Sequence, residues 1–135
     1  MGRGIHSPVY VDDLVQGLLL AVSHPAAAGQ VFTISGAQGV TSREYFGHLF
    51  RFAGRRGPVG VPTGLGVALA TLADAVNRLT GRRNEINATS MRYLARPGTY
   101  SIQKAREMLG YEPQVDLAEG MRRTERWLRE QGLIQ

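Results

Sequence analysis

A chain of 135 residues, 43% apolar and 20% charged, suits one domain, and the lack of any cysteine excludes disulfides and thiolate metal sites. The net charge is +5 and all but one of the sixteen basic residues are arginine, yet they stand in scattered pairs, not in the dense basic run of a nucleic-acid binder. MGRGIHSPVY holds no secretory apolar core, and the longest apolar stretch, GVPTGLGVALATLADAV, is broken by Pro62, several glycines and Asp74, short of the about 20 apolar residues of a membrane span. These features point to a cytoplasmic setting with no membrane partner and no nucleic-acid partner.

In chain order, Val9 to Val11 are β-formers that run into a helix reaching about Ser23, where Pro25 stops it. Asp12 or Asp13 is the expected N-cap. The helix centre, LLLAV, is apolar on nearly every face, which predicts burial on more than one side. Gln30 to Ser35, bounded by glycines, reads as a second strand. Thr41 and Glu44 form a capping box that opens a helix, with Tyr45, Leu49 and Phe52 on one stripe, Phe46, Phe50 and Ala53 on the next, and Gly54 at its end. A further helix is predicted from Thr63 to Leu79, with Leu65, Leu69, Leu72 and Val76 on one side.

After the polar loop RRNEIN, ATSMRYLAR reads as a short helix. Ser101 then caps a helix from Ile102 to Leu109, and Gly110 takes the C′ position. Asp116 and Glu119 form another capping box for a last helix that runs to about Gln131, with Leu117, Met121, Thr124 and Leu128 on one face. Two or three short strands are too few for an independent sheet. They read as pieces of a sheet whose other members lie outside this chain.

Three constellations invite a chemical reading. In YSIQK, Tyr100 stands four residues before Lys104, the spacing of a proton-transferring dyad. Tyr100 precedes the cap Ser101, however, and so falls outside the helix that would bring it over Lys104. Asp12 and Asp13 are adjacent and do not face each other on a helix, so capping and packing is the expected role. His6, His24 and His48 lack metal-ligand spacing, and His24 is expected to interact with a helix C-terminus.

The ordered pieces VYVDDLVQGLLLAVSHPAAAGQVFTISGAQGVTSREYF, KAREMLGYEP, DLAEG and RTERWLREQG resemble the C-terminal part of extended short-chain dehydrogenases, the NAD(P)-dependent epimerase/dehydratase family. The resemblance covers nearly the whole chain. It implies an α/β fragment, mostly helical with two or three short strands. Residues 1–135 would form the C-terminal, substrate-binding portion of a Rossmann-type enzyme whose N-terminal cofactor-binding βαβ units are not in this chain. The family's catalytic Tyr-x-x-x-Lys lies upstream of the V-D-D strand, so no catalytic residue is expected here. No strand is followed by a glycine-rich dinucleotide loop; GLGVALA lacks the third glycine. NAD or NADP would serve the full-length protein, and neither is expected to bind this chain alone.

For the substrate, the resemblance implies two classes. Nucleotide-sugar epimerases carry a phosphate-binding arginine just before the V-D-D strand, and His6 stands near that place. A neutral imidazole is a weaker phosphate partner than a bidentate guanidinium, which argues against a nucleotide sugar. Arg92 and Arg96 are candidates for a second phosphate-contacting arginine. Relatives that act on hydroxysteroids or other apolar alcohols lack the clamp, and the apolar run 60–76 would suit lining such a site. The substrate-binding candidates are thus His6, Arg92 and Arg96, for a nucleotide sugar or an apolar alcohol. The alternative is a small basic interaction domain without catalysis. Alone, the chain is expected to be poorly folded or to self-associate, because the helix LVQGLLLAV and both main strands would expose surfaces that the missing portion covers.

Overall fold

A computed structural model of the chain describes residues 4–57, 62–80, 89 and 93–134. They form two compact units. The first comprises Met1–His6 with Thr41–Gly98, the second Ser7–Val40 with Thr99–Gln135. The architecture is mostly helical with two short strands, as the sequence predicts.

The second unit is built on helix α1 (Val11–Ser23), whose N-cap is Tyr10 and carries no side-chain capping bond. Neither aspartate caps it, contrary to expectation. Asp13 is buried, and its carboxylate accepts hydrogen bonds from the backbone N–H groups of Gln114 at 2.9 Å and Val115 at 3.0 Å. A long-range clamp has taken the place of a local cap. Asp12, on the exposed side, pairs with Arg123 at 3.3 Å, and Arg123 also bonds Glu119 at 2.6 Å and lies 5.4 Å from the Tyr10 ring centroid.

Helix α4 of this unit (Gln103–Leu109) starts after Ile102, while Ser101 Oγ accepts the Gln103 N–H at 3.2 Å. It ends on Gly110 at φ 67°, a left-handed position that glycine adopts without steric cost. Helix α5 (Leu117–Glu130) opens with the expected capping bond from the Glu119 N–H to Asp116 at 2.8 Å. The core consists of Ile102, Ala105 and Tyr111, with Leu20, Phe32 and Ile34 packed against it. Tyr111 is fully buried and its hydroxyl donates to the Ser35 carbonyl at 3.0 Å. Burial, with Asp13 and Glu112 nearby, pushes the phenol pKa up.

The predicted strands at Val9–Val11 and Gln30–Ser35 are not strands among the described residues. Their alternation survives in part: Phe32 and Ile34 are half-buried, while Val31 is 84% exposed. What is missing is a ladder partner, since Gly36 N–H to the Pro8 carbonyl at 2.9 Å is an isolated bond. Likewise Val11, Val15, Leu18, Leu19 and Val22 of α1 are exposed, so the expected burial of this helix on several sides is not met within the chain.

Strand β1 (Ile5–His6) of the first unit pairs with the two-residue β2 (Val40–Thr41), of which Thr41 belongs to that unit. Helix α2 (Ser42–Phe52) opens on the predicted cap, with Thr41 Oγ1 accepting the Glu44 N–H at 3.2 Å, and Gly54 follows it at φ 63°. Helix α3 (Thr63–Thr80) has the predicted extent, and Leu65, Leu69 and Leu72 share one exposed side of it. Leu65, Leu69 and Leu72 are 53%, 56% and 64% exposed, whereas Ala70 is buried and Gly66 and Val67 are half-buried. Small residues, not the leucine stripe, turn inward. Of the expected helix at ATSMRYLAR, residues 88 and 90–92 lie outside the described residues, and Thr89, Tyr93 and Leu94 are helical.

Charge is divided between the units. The first holds ten arginines and three acidic residues, a formal +7; the second holds six basic and eight acidic residues, a formal −2; together they give the chain's +5. Among the described residues every ion pair lies in the second unit.

Candidate functional site

His6 is placed by backbone bonds among three short segments of the first unit. The Ile5 N–H donates to the Arg96 carbonyl at 2.9 Å, and the Ser42 N–H donates to the Gly4 carbonyl at 2.8 Å. Gly4 is required for this crossing: a Cβ there would overlap the Leu94 carbonyl oxygen. The half-buried imidazole lies in the space that results. Its Nε2 is 2.7 Å from Ser42 Oγ, and its ring centroid is 6.1 Å from those of both Tyr45 and Phe46. Tyr45 and Phe46 meet edge to face at 5.6 Å. Two aromatic walls and one polar ring thus stand together at the start of α2.

Ser42 is buried, and its hydroxyl also lies 3.0 Å from the Leu94 carbonyl and 3.3 Å from that of Gly4. Sequence reasoning singled out its neighbour Thr41 and passed over Ser42 and Gly4. No periodicity marks a first-turn serine whose partners are 38 and 52 residues away, though a glycine two residues before a candidate histidine is a signal of close backbone approach.

Arg96 joins the same crossing through its backbone carbonyl, but its exposed guanidinium reaches outward and lies 5.8 Å from the centroid of Tyr93. Arg92 lies outside the described residues. His48 Nδ1 is 2.7 Å from an Arg51 guanidinium nitrogen, and burial, followed by the Arg51 charge, lowers its pKa. Exposed Arg43, Arg55 and Arg56 add positive charge to this unit.

Tyr100 and Lys104 do not form a dyad. Lys104 Nζ donates to Gln30 Oε1 at 2.9 Å and lies 5.1 Å from the Phe32 ring centroid, while Tyr100 precedes the helix that carries the lysine. His24 closes α1, and its Nδ1 accepts the Ala26 N–H at 3.3 Å. Among the described residues no group of His, Asp and Glu could hold a metal ion, and no helix is long and apolar enough to cross a membrane.

No family model matches the chain. It is 31% identical to the decarboxylating sterol-4-alpha-carboxylate 3-dehydrogenase of Schizosaccharomyces pombe over 88% of this chain and 37% of that protein. It is 29% identical to the 3beta-hydroxysteroid-dehydrogenase/decarboxylase isoform 1 of Arabidopsis thaliana over 91% of this chain and 31% of that protein. Among solved structures, an epimerase from Methanothermobacter thermautotrophicus superposes with a TM-score of 0.68 at 26% identity, over 98% of this chain and 32% of its own. The UDP-glucuronic acid 4-epimerase of Bacillus cereus, solved with UDP-glucuronic acid and NAD, shares the fold with a TM-score of 0.60 at 16% identity, over 96% of this chain and 33% of its own. The chain spans about a third of the length of these proteins. It belongs to the extended short-chain dehydrogenases, the family of NAD-dependent epimerases, dehydratases and sterol dehydrogenases, and its partial coverage of them is consistent with a C-terminal part of such a protein.

Proposed function

We propose that this chain is the substrate-side portion of an NAD(P)-dependent dehydrogenase that oxidises hydroxysteroid-like alcohols, and that it does no chemistry alone. The observation that carries the substrate class is the similarity to two sterol dehydrogenases, each over about nine-tenths of the chain. The site supports it. His6 stands between aromatic rings with one ring nitrogen engaged by Ser42, a poor seat for a diphosphate. Arg96 is stacked on an exposed tyrosine, and Arg92 remains a candidate by sequence alone.

In this reading residues 1–135 work with a dinucleotide-binding portion that supplies the nicotinamide and the proton-transferring residue. That portion would also cover the exposed apolar face of α1. The nucleotide-sugar reading keeps one point in its favour, the shared fold with a UDP-glucuronic acid 4-epimerase.

The test is an assay of the complete gene product. A hydroxysteroid should reduce NAD or NADP, and uridine diphosphate should not compete. Arg96→Ala should change KM for the alcohol less than about twofold, as removal of an exposed cation–π contact implies. Competition by the nucleotide, with affinity lost tenfold or more in that variant, would instead support a nucleotide sugar.

A further inference from the structure

We infer that Ser42 is a positioning residue that holds His6 in one tautomer and thereby makes it a hydrogen-bond acceptor for a substrate hydroxyl. The inference rests on the proposed apolar-alcohol reading, and adds to it which atom meets the substrate and why an anion is turned away there.

The tautomer follows from the hydrogen-bond network. A serine hydroxyl has one proton to donate and lone pairs to accept. Three groups surround Ser42 Oγ: His6 Nε2 at 2.7 Å, the Leu94 carbonyl at 3.0 Å and the Gly4 carbonyl at 3.3 Å. The carbonyls can only accept, and the Gly4 oxygen already has the Ser42 N–H at 2.8 Å. The hydroxyl proton therefore goes to Leu94, and the bond from the ring is made by Nε2–H donating to Oγ. This assignment makes two bonds at the hydroxyl, whereas the opposite tautomer makes one.

With its proton on Nε2, the neutral ring presents a lone pair at Nδ1. Among the described residues Nδ1 has no hydrogen-bond partner, and no unpartnered side-chain nitrogen or oxygen is fully buried, so Nδ1 is not sealed from solvent. An open acceptor beside Tyr45 and Phe46 suits a neutral O–H donor on an apolar body. It repels a phosphate oxygen, which also brings only lone pairs. A mobile imidazole could swap tautomers or rotate to meet either ligand. Ser42, buried and anchored to Leu94, removes that freedom.

The experiment is nitrogen-15 NMR of the His6 ring in the whole chain at alkaline pH, well above the ordinary imidazole range. The wild type should show a proton-bearing Nε2 and a bare Nδ1. Ser42→Ala should shift both signals toward a mixture of tautomers, and Ser42→Thr, which keeps the hydroxyl, should restore the single form. A wild-type ring protonated at Nδ1, or an unchanged tautomer in Ser42→Ala, overturns the inference. If Ser42→Ala does not fold, the wild-type spectrum decides alone. In a second arm the chain is titrated with a hydroxysteroid and with uridine diphosphate. The steroid should move the Nδ1 signal and the nucleotide should not. A shift with the nucleotide only defeats the apolar-alcohol reading even if the tautomer is as inferred, and silence with both removes His6 as a substrate contact.

Discussion

The two units solve the problem of holding a fold together in different ways. The second, with formal charge −2, is laced by every ion pair among the described residues and by the Asp13 clamp, around a core centred on Tyr111. The first, with formal charge +7, has none of those pairs, exposes a leucine stripe on α3, and concentrates its polar bonds at His6 and Ser42. Uncompensated charge and exposed apolar surface cost stability and are expected where a partner or substrate is met. Satisfied buried polar groups rigidify a scaffold. Under the proposed function, the second unit would supply support and the first recognition.

The largest expected effect comes from Asp13→Ala. It leaves the N–H groups of Gln114 and Val115 without their charged acceptor, and bonds to charged groups contribute about 1.5–3 kcal/mol each, so a loss of about 3–6 kcal/mol is expected. Trp127, the single tryptophan, sits in α5 of the second unit and reports its urea unfolding by fluorescence. A loss under about 1 kcal/mol, within the range of an ordinary net hydrogen bond, would remove the clamp from the description. Gly4→Ala comes next. The added methyl must displace the Leu94 carbonyl, at about 1–3 kcal/mol for overpacking. It should abolish the His6–Ser42 bond while leaving the Trp127 transition in place.

Tyr111→Phe should cost about 1 kcal/mol, the net value of the bond to the Ser35 carbonyl, again read from Trp127. The smallest effects are with pH. Hydrogen bonds from Arg123 and Arg122 hold the Glu119 carboxyl below its ordinary value, so its stabilisation is present above the unfolded pKa and lost as pH falls through the lowered folded one. The His48 pKa is lowered too, by burial and Arg51, so the unfolded chain takes up its proton first and stability falls once pH drops below the ordinary 6.5. The first unit should therefore lose stability in the imidazole range and the second in the carboxylate range. His48→Gln and Glu119→Gln should each flatten one range only, as followed by pH-dependent melting.

Local signals were legible where they are local. Thr41, Asp116 and Gly110 sit where capping chemistry placed them, and the last helix keeps Leu117, Met121 and Leu128 on its inner face. The order of motifs pointed to the family. What the sequence hid depends on distant partners. Asp13 looks like any first-turn acid until Gln114 and Val115 arrive, 101 and 102 residues later. The leucine stripe of α3 has the period of a buried face, and periodicity cannot say which of two faces meets the rest of the unit. Gln30 to Ser35 has the alternation of a strand, but a strand is defined by a neighbour as much as by its own residues. His6 was singled out from its place before the V-D-D segment, whereas Ser42, which fixes it, carried no signal of its own.

The most direct test of the division between a substrate-side chain and a cofactor-binding remainder is calorimetric titration of NAD and of NADP into the chain itself. No predicted strand in the sequence is followed by the glycine-rich loop that seats a pyrophosphate at a helix N-terminus. Neither dinucleotide should give measurable heat. A micromolar dissociation constant for either would contradict the division and give this chain a cofactor site of its own.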